Sequence, residues 1–361
     1  MAKLEDSIHA VILAGGAGER FWPASRQAVP KPFLKVIGGN SLLASTLSRT
    51  RRFANAENIW VVAGCDHAKA VRAESGLSAR RVLVEPMRRN TAMAIAYAAA
   101  RIRSEDPDAV MVVLPADHVI PDGRAFRAAI RKAARAARGA DVLVTLGVEP
   151  KRPDTGLGYI QRGAAVGPKA PGLHRVRRFV EKPNEKTARR YLQRGDYLWN
   201  AGIFIWSVGT ILEELETHAP ELQRAWGPML GSRRRPTAEQ LRGIYRRAPS
   251  VSIDVAVLER SRRVWTLPVR FHWNDVGTWA SLAEELGVQP GRSRSVAGAL
   301  VECDSGANLV WSEDRTIALL GVEGFAVIDT PDALLVARLD QSSDVRKLVA
   351  QLKSSGRSKI T

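Results

Sequence analysis

Cysteine is nearly absent. Cys65 and Cys303 are the only two in 361 residues, which excludes a disulfide framework and a cysteine zinc site. No apolar run approaches the roughly 20 residues that span a bilayer, and the N-terminal MAKLEDSIHA carries no signal-peptide core. The expectation is a cytoplasmic protein with no membrane partner. Acidic residues are also short: 54 Lys and Arg stand against 37 Asp and Glu, a net charge of +17. A surplus of that size raises nucleic-acid binding, yet no helix-turn-helix, finger or RNA-reading motif accompanies it. Arg127, Arg131, Arg135 and Arg138 recur at helical spacing among alanines, as on a solvated face, and Arg233 to Arg235 precede a proline in a loop. No specific nucleic acid is expected, and the charge reads as solvated surface with a general attraction for anions. No Ser-His-Asp or Cys-His set stands out, so covalent catalysis is not indicated.

What is present begins at His9. Ala10 to Ala14 is a short apolar run, long enough for one buried strand. Gly15, Gly16 and Gly18 follow, and glycines let bare N–H groups approach a ligand. Arg20 and Lys31 bring positive charge, while Pro23, Pro30 and Pro32 prevent a regular helix. The loop is neither a dinucleotide G-x-G-x-x-G nor a Walker A loop, because Arg20-Phe21 occupies the third glycine position and no Gly-Lys-Ser/Thr closes it. A strand that ends in a rigid, basic, glycine-rich loop suits a triphosphate.

Along the chain, apolar strands at 59–63, 81–85, 109–114 and 142–146 alternate with helices at 40–53, 67–74, 91–103 and 125–138. This alternation predicts an α/β fold with a Rossmann-like, mostly parallel sheet flanked by helices. Ligands of such sheets bind beyond the carboxyl ends of the strands. The glycine loop, Glu85, Asp117 and the stretch after Gly147 all follow strands, so they are expected at one edge. After about residue 290 the chain breaks into short strands separated by Gly, Asp and Pro turns, and a helix near 344–352 closes it. The domain boundaries read as 1–288 and 289–361.

Several polar groups have two readings. Asp117 past the central strand is either an Asx turn or cap, or an oxygen ligand for a hard cation. Asp275 in Trp273-Asn-Asp275-Val-Gly-Thr-Trp279 is either part of an aromatic turn or a second such ligand. Glu181-Lys182 stands at a strand end and reads by itself as a surface pair. Asn200 reads by itself as part of a buried turn. Asn90 and Thr91 cap a helix, touch a ligand, or both.

The segment GGAGERFWPASRQAVPKPF resembles the signature of nucleotide-sugar pyrophosphorylases, and Phe-Trp-Pro-x-Ser-Arg within it is most similar to the mannose-1-phosphate guanylyltransferases. Pro32 departs from the Gln more usual there, Leu157 from Tyr and Thr278 from Ser. The resemblance extends from Ala10 to Leu352 and implies transfer from GTP to α-D-mannose 1-phosphate, giving GDP-mannose and diphosphate. It implies Mg2+, with Mn2+ as a substitute, held by Asp117 and Asp275. It assigns nucleotide binding to Leu13, Ala14, Gly15, Gly16, Gly18, Glu85, Asn90 and Thr91, sugar binding to Gly158, Glu181 and Asn200, and catalysis to Arg20, Lys31 and Lys182. A carboxylate such as Glu85 can accept from the N1–H and N2–H2 edge of guanine. The resemblance also implies a small left-handed β-helix-like C-terminal domain, with no room for the phosphomannose isomerase domain fused to some relatives, and a homodimer. Rival readings are the same chemistry on another nucleotide or hexose phosphate, and a catalytically silent regulatory subunit of the same fold.

Overall fold

A computed structural model describes residues 4–16, 18–227, 235–357 and 360–361. Arg233 and Arg234 of the basic run lie outside the described residues. The chain divides into two compact units: residues 1–15, 47–116 and 120–273 form the first, and residues 16–46, 117–119 and 274–361 the second.

The first unit is built on strands β1 (Ile8–Leu13), β2 (Ile59–Gly64), β3 (Val82–Glu85), β4 (Val110–Pro115), β5 (Leu143–Val148), β6 (Tyr159–Ala165), β7 (His174–Val180), β8 (Tyr197–Ser207) and β9 (Val264–Val269). Among the described residues these form one sheet in the order β3-β2-β1-β4-β8-β5-β9-β7-β6, and β6 also pairs with β8. The edge β3-β2-β1-β4 is parallel throughout. Its strands are almost continuously apolar because both faces are covered. Beyond β4 the sheet is mixed, since β8 runs antiparallel to β4, β5 and β6, and β7 antiparallel to β6 and β9. The reason lies in the connections. The loop 166–173 between β6 and β7 is long enough to reverse direction but too short for the crossover of a dozen or more residues that a parallel neighbour needs.

Helices α1 (Leu42–Thr50), α2 (Ala68–Ser75), α3 (Asn90–Glu105), α4 (Gly123–Gly139) and α5 (Glu185–Arg194) follow the expected alternation within a few residues. Helices α6 (Val208–His218), α7 (Pro220–Trp226) and α8 (Ala238–Arg247) were not read from the sequence. The alanines of α3 are buried on every side, and α6 and α7 pack against it. Helix α4 buries Phe126, Ile130, Ala133, Ala134 and Ala137, leaving Arg135 and Arg138 exposed and Arg131 paired with Glu5, as its arginine spacing predicts.

In the second unit, α9 (Trp279–Glu285) precedes β10 (Arg294–Ser295), β11 (Leu300–Cys303), β12 (Leu309–Ser312), β13 (Ile317–Leu320), β14 (Phe325–Thr330), β15 (Ala333–Arg338) and the closing α10 (Val345–Ser354). Strands two apart in sequence stack in parallel: β10 on β12, β12 on β14, and β11 on β13. Such stacking is the pattern of a coil that climbs by one turn per repeat. Leu309, Trp311, Ala326 and Ile328 point into a core shared with Phe21, Trp22 and Trp279. The C-terminal strands and part of the glycine-rich loop therefore share one apolar cluster. No helix among the described residues is long and apolar enough to cross a membrane.

Candidate active site

In the first unit, the registers Leu13↔Val62, Leu13↔Pro115 and Gly64↔Glu85 bring the carboxyl ends of β1 to β4 to one edge. Ala14 N donates to Val62 O at 2.8 Å, which fixes the start of the glycine loop against β2. Gly15 is exposed, as is Gly16, the first residue of the second unit, which needs glycine because its φ is 104°.

Glu85 closes β3 and is 9% exposed. Its Oε1 accepts from the Tyr245 hydroxyl at 3.1 Å. Burial pushes the Glu85 carboxyl up to about 7, and the Tyr245 hydrogen bond pulls back against it. Asn90 opens α3 with a φ of 61°, and its Oδ1 accepts from the N–H of Thr91 at 2.8 Å. The Thr91 hydroxyl accepts from Ile253 N at 2.9 Å. No side chain caps α3 from the position before it; Asn90 closes a local backbone bond, while Thr91 ties the helix start to the distant Ile253.

The second polar group of this unit gathers where β6, β7 and β8 meet. The registers Tyr159↔Val180 and Tyr159↔Trp199 place Gly158 beside Glu181 and Asn200. A Cβ on Gly158 would lie 2.7 Å from Glu181 Oε2 and 3.3 Å from Asn200 Cβ. Asn200 sits inside β8 rather than in a turn, next to the irregularity between Thr145 and Gly147 on β5. Its Oδ1 accepts from Thr145 Oγ1 at 2.9 Å and Gly202 N at 3.1 Å, and its Nδ2 donates to Asp254 Oδ1 at 3.0 Å. A carboxamide has two donor hydrogens, so one remains. Lys182, at a φ of 46°, donates to Glu181 Oε1 at 2.6 Å while its side chain stays 57% exposed.

Asp254 and Tyr245 were not singled out in the sequence. Burial, and then the charge of Glu181, push the Asp254 carboxyl up to about 7. The available signal was an acid amid Ile253, Val255, Ala256, Val257 and Leu258. An acid in such a run is rarely buried without a partner.

In the second unit, Lys31 draws three distant motifs together. Its Nζ donates to Asp117 Oδ2 at 2.7 Å and to the main-chain oxygen of Asp275 at 2.8 Å, across 86 and 244 positions of sequence. The same ammonium stands 5.6 Å above the Phe21 ring. Burial alone would raise the Asp117 carboxyl, but the charges of Lys31 and His118 outweigh it and hold it below its ordinary value. Backbone bonds in both directions between Val119 and Asn274, at 2.9 and 3.1 Å, hold the segments carrying Asp117 and Asp275 side by side. Asp275 folds back over Gly277, where an added Cβ would meet its Oδ2 at 2.6 Å. Gly18 is equally confined, with a Cβ position 2.5 Å from Ser25 Oγ and 2.7 Å from Lys31 Cβ. Arg20 lies half-buried in the turn Glu19–Phe21.

The aromatic pair and Pro32 acquire a reason. Phe21 packs on Trp279 with ring centres 4.6 Å apart, Trp279 Nε1 donates to Trp22 O, and Trp22 Nε1 donates to Ile360 O. Pro32 sits early in the helical turn Lys31–Phe33, where its fixed φ is accommodated. Through them the Phe21 ring is fixed under the Lys31 ammonium.

Among the described residues no group of three or more His, Cys, Asp or Glu is assembled as a metal cage. Asp117 and Asp275 offer hard oxygen donors that fit a divalent cation sharing its shell with ligand oxygens and water.

The Nucleotidyl transferase family matches residues 9–287, and the MannoseP isomerase/GMP-like beta-helix domain matches residues 298–352. Nucleotidyltransferases of this family generally use a divalent metal. The chain is 36% identical to the mannose-1-phosphate guanylyltransferase of Escherichia coli K12, over 98% of this chain and 75% of that protein. It is 39% identical to the xanthan biosynthesis protein XanB of Xanthomonas campestris, over 97% and 74% respectively. A crystal structure from Thermus thermophilus, described as a mannose-1-phosphate geranyltransferase, superposes with a TM-score of 0.87 at 33% identity, covering 96% of this chain and 99% of that one. The chain belongs to the nucleotidyl transferase family, as an enzyme of the mannose-1-phosphate guanylyltransferase group with an α/β core and a C-terminal β-helix-like domain.

Proposed function

We propose that this chain transfers the guanylyl group of GTP to α-D-mannose 1-phosphate, forming GDP-mannose and diphosphate. The observation that carries the reading is the Lys31 ammonium bound to Asp117 and to the Asp275 main chain. A lysine has three donor hydrogens, so one is left for a phosphate oxygen. In the transfer, an oxygen of the sugar phosphate bonds to the α-phosphorus of GTP. The bond from that phosphorus to the bridging oxygen breaks, and the electron pair leaves with diphosphate.

The chain's own residues then divide the work. The N–H groups after Leu13 and Ala14, through Gly15, Gly16 and Gly18, receive phosphate oxygens. Arg20 and Lys31 neutralise the charge of the departing diphosphate. Glu85 accepts from the guanine N1–H and N2–H2, and Asn90 and Thr91 shape the adjoining loop. Glu181, on the floor formed by Gly158, takes sugar hydroxyls, Asn200 offers its remaining amide hydrogen, and Lys182 pairs with the sugar phosphate. Asp117 and Asp275 would hold Mg2+, or Mn2+ in its place, which when bound offsets the negative charge of the phosphate oxygens. Positioning and charge supply the catalysis, and no covalent intermediate is needed.

Purified protein incubated with Mg2+, mannose 1-phosphate and each nucleoside triphosphate in turn is expected to release diphosphate with GTP. No release with GTP, alongside release with another nucleotide, overturns the nucleotide assignment. Faster diphosphate release from GTP with glucose 1-phosphate than with mannose 1-phosphate overturns the sugar assignment.

A further inference from the structure

The arginine run ahead of Pro236 is not absorbed by this chemistry, and its last member leads to a second polar site. Arg235 lines a cavity of about 810 Å3 in the first unit, together with Arg80, Arg81 and Arg101, and with Glu57 and Glu105 as the acids. The cavity lies at the amino ends of β2 and β3, beside the last turn of α3. Glu85 closes the carboxyl end of the same β3. The cavity is therefore separate from the base-reading residues.

The four guanidinium groups are unequally satisfied. Arg81 stacks over Trp60 at 4.2 Å and donates to Glu105 Oε2 at 2.7 Å. Arg235 donates to the main-chain oxygens of Ala79 and Arg80, neither of which carries charge. Arg80 has no carboxylate partner among the described residues. Arg101 is 7% exposed, and its only carboxylate partner among them is Glu105, 3.8 Å away and already held by Arg81. Its Nε is buried and without a hydrogen-bond partner. Partial burial lowers the Arg235 guanidinium below its ordinary value, and the charges of Arg101 and Arg80 add to that, so the cations crowd one another. Among the described residues that line the cavity, four positive charges against two acids leave a net charge of about +2.

We propose that this cavity is an anion site for a phosphate group, distinct from the residues assigned to GTP and mannose 1-phosphate. A doubly charged tetrahedral anion matches the charge surplus, and guanidinium forks are suited to phosphate oxygens. The phosphate group could be supplied by a free ion or by a phosphate ester, and both share this chemistry.

The test is calorimetric titration of the full chain with inorganic phosphate at fixed ionic strength, repeated with glycerol 3-phosphate and with chloride as control. Saturable binding is expected in the wild type, at least tenfold weaker in Arg80→Ala and in Arg101→Met, with guanylyl transfer by Arg80→Ala unchanged. Arg80 is exposed, so that variant stays informative if Arg101→Met fails to fold. Tighter binding of the ester assigns the site to a phosphorylated metabolite, and tighter binding of the inorganic ion assigns it to free phosphate. Equal affinities in wild type and Arg80→Ala, or a response that chloride reproduces, would overturn the proposal.

Discussion

Glu85 and Asp117 both stand at the carboxyl ends of parallel strands in one sheet, yet their carboxyls are shifted in opposite directions. Glu85 is buried with a tyrosine hydroxyl as its partner, and its carboxyl is pushed up to about 7. Asp117 also feels burial, but the Lys31 ammonium 2.7 Å away and the charge of His118 hold it below its ordinary value. A cation within hydrogen-bond reach, rather than strand-end geometry or burial, decides between them. The difference fits the two proposed tasks. A carboxylate short of donors gains from guanine N–H groups, and one that is always ionised suits a metal ion.

The largest effect comes from removing the cation. Lys31→Met leaves Asp117 charged and unpaired, and loss of one partner from a largely buried pair costs about 3–5 kcal/mol. Denaturant midpoints will show that loss, and diphosphate release should fall with it. Asp117→Asn separates the two effects, because the amide oxygen still accepts from Lys31. Its turnover should drop by about 10²–10³ while the fold survives, and normal turnover there would discard the metal assignment. The sign of the pH dependence follows from the depressed carboxyl. The stability it contributes is present above the ordinary value of 3.8 and is lost as pH falls through the lower folded value.

Glu85 should behave in the opposite sense. Its folded value of about 7 stands above the ordinary 4.5, so the stability it contributes is full below 4.5 and is lost as pH rises through 7. At 1.36 kcal/mol per unit this is roughly 3 kcal/mol. Glu85→Gln removes the ionisation but keeps an acceptor for Tyr245. Unfolding of the wild type at about pH 5 and about pH 8 should show this loss, and the variant should lose less over the same interval. Its KM for GTP should rise about tenfold as one donor–acceptor match at the base is reversed. An unchanged pH dependence would mean that Glu85 is ionised in the free protein.

How far these sites were legible in the sequence depends on the signal each residue leaves. The strands β1 to β5 are apolar runs buried on two faces, and they stand out. The carboxylates at their ends were visible for the same reason, because position after a strand is readable. Only the end of β7, at Phe179 and Val180, was legible as a strand, because the rest of β7 is rich in exposed arginines and β6 turns from two buried residues to mostly exposed ones. Asn200 looked like part of a turn because Gly202 follows it, yet it lies within β8 at an irregular pairing. The partners were hidden altogether. Tyr245 reaches Glu85 across 160 positions, and Asp254 reaches Asn200 across 54. Neither distance leaves a local pattern. The Lys31 contacts show the same limit, since the loop advertises a cation but not which carboxylate it meets.

The smallest effect sharpens the comparison from a third carboxylate. Glu181 lies against Gly158 with no room for a methyl group, because a Cβ there would sit 2.7 Å from Glu181 Oε2 and 3.3 Å from Asn200 Cβ. Gly158→Ala must move Glu181 or strain the junction of β6 and β8, at about 1–3 kcal/mol. Displacement removes a group that raises the Asp254 carboxyl, so Asp254 should titrate lower, toward its ordinary value of 3.8. Turnover with saturating sugar should change little, while KM for mannose 1-phosphate rises about tenfold, near 1.4 kcal/mol. Asp117 is untouched, so its pH signature should persist in this variant. A fall in turnover at saturating sugar, with KM unchanged, would instead place Glu181 among the groups acting in the transfer step rather than in binding the sugar.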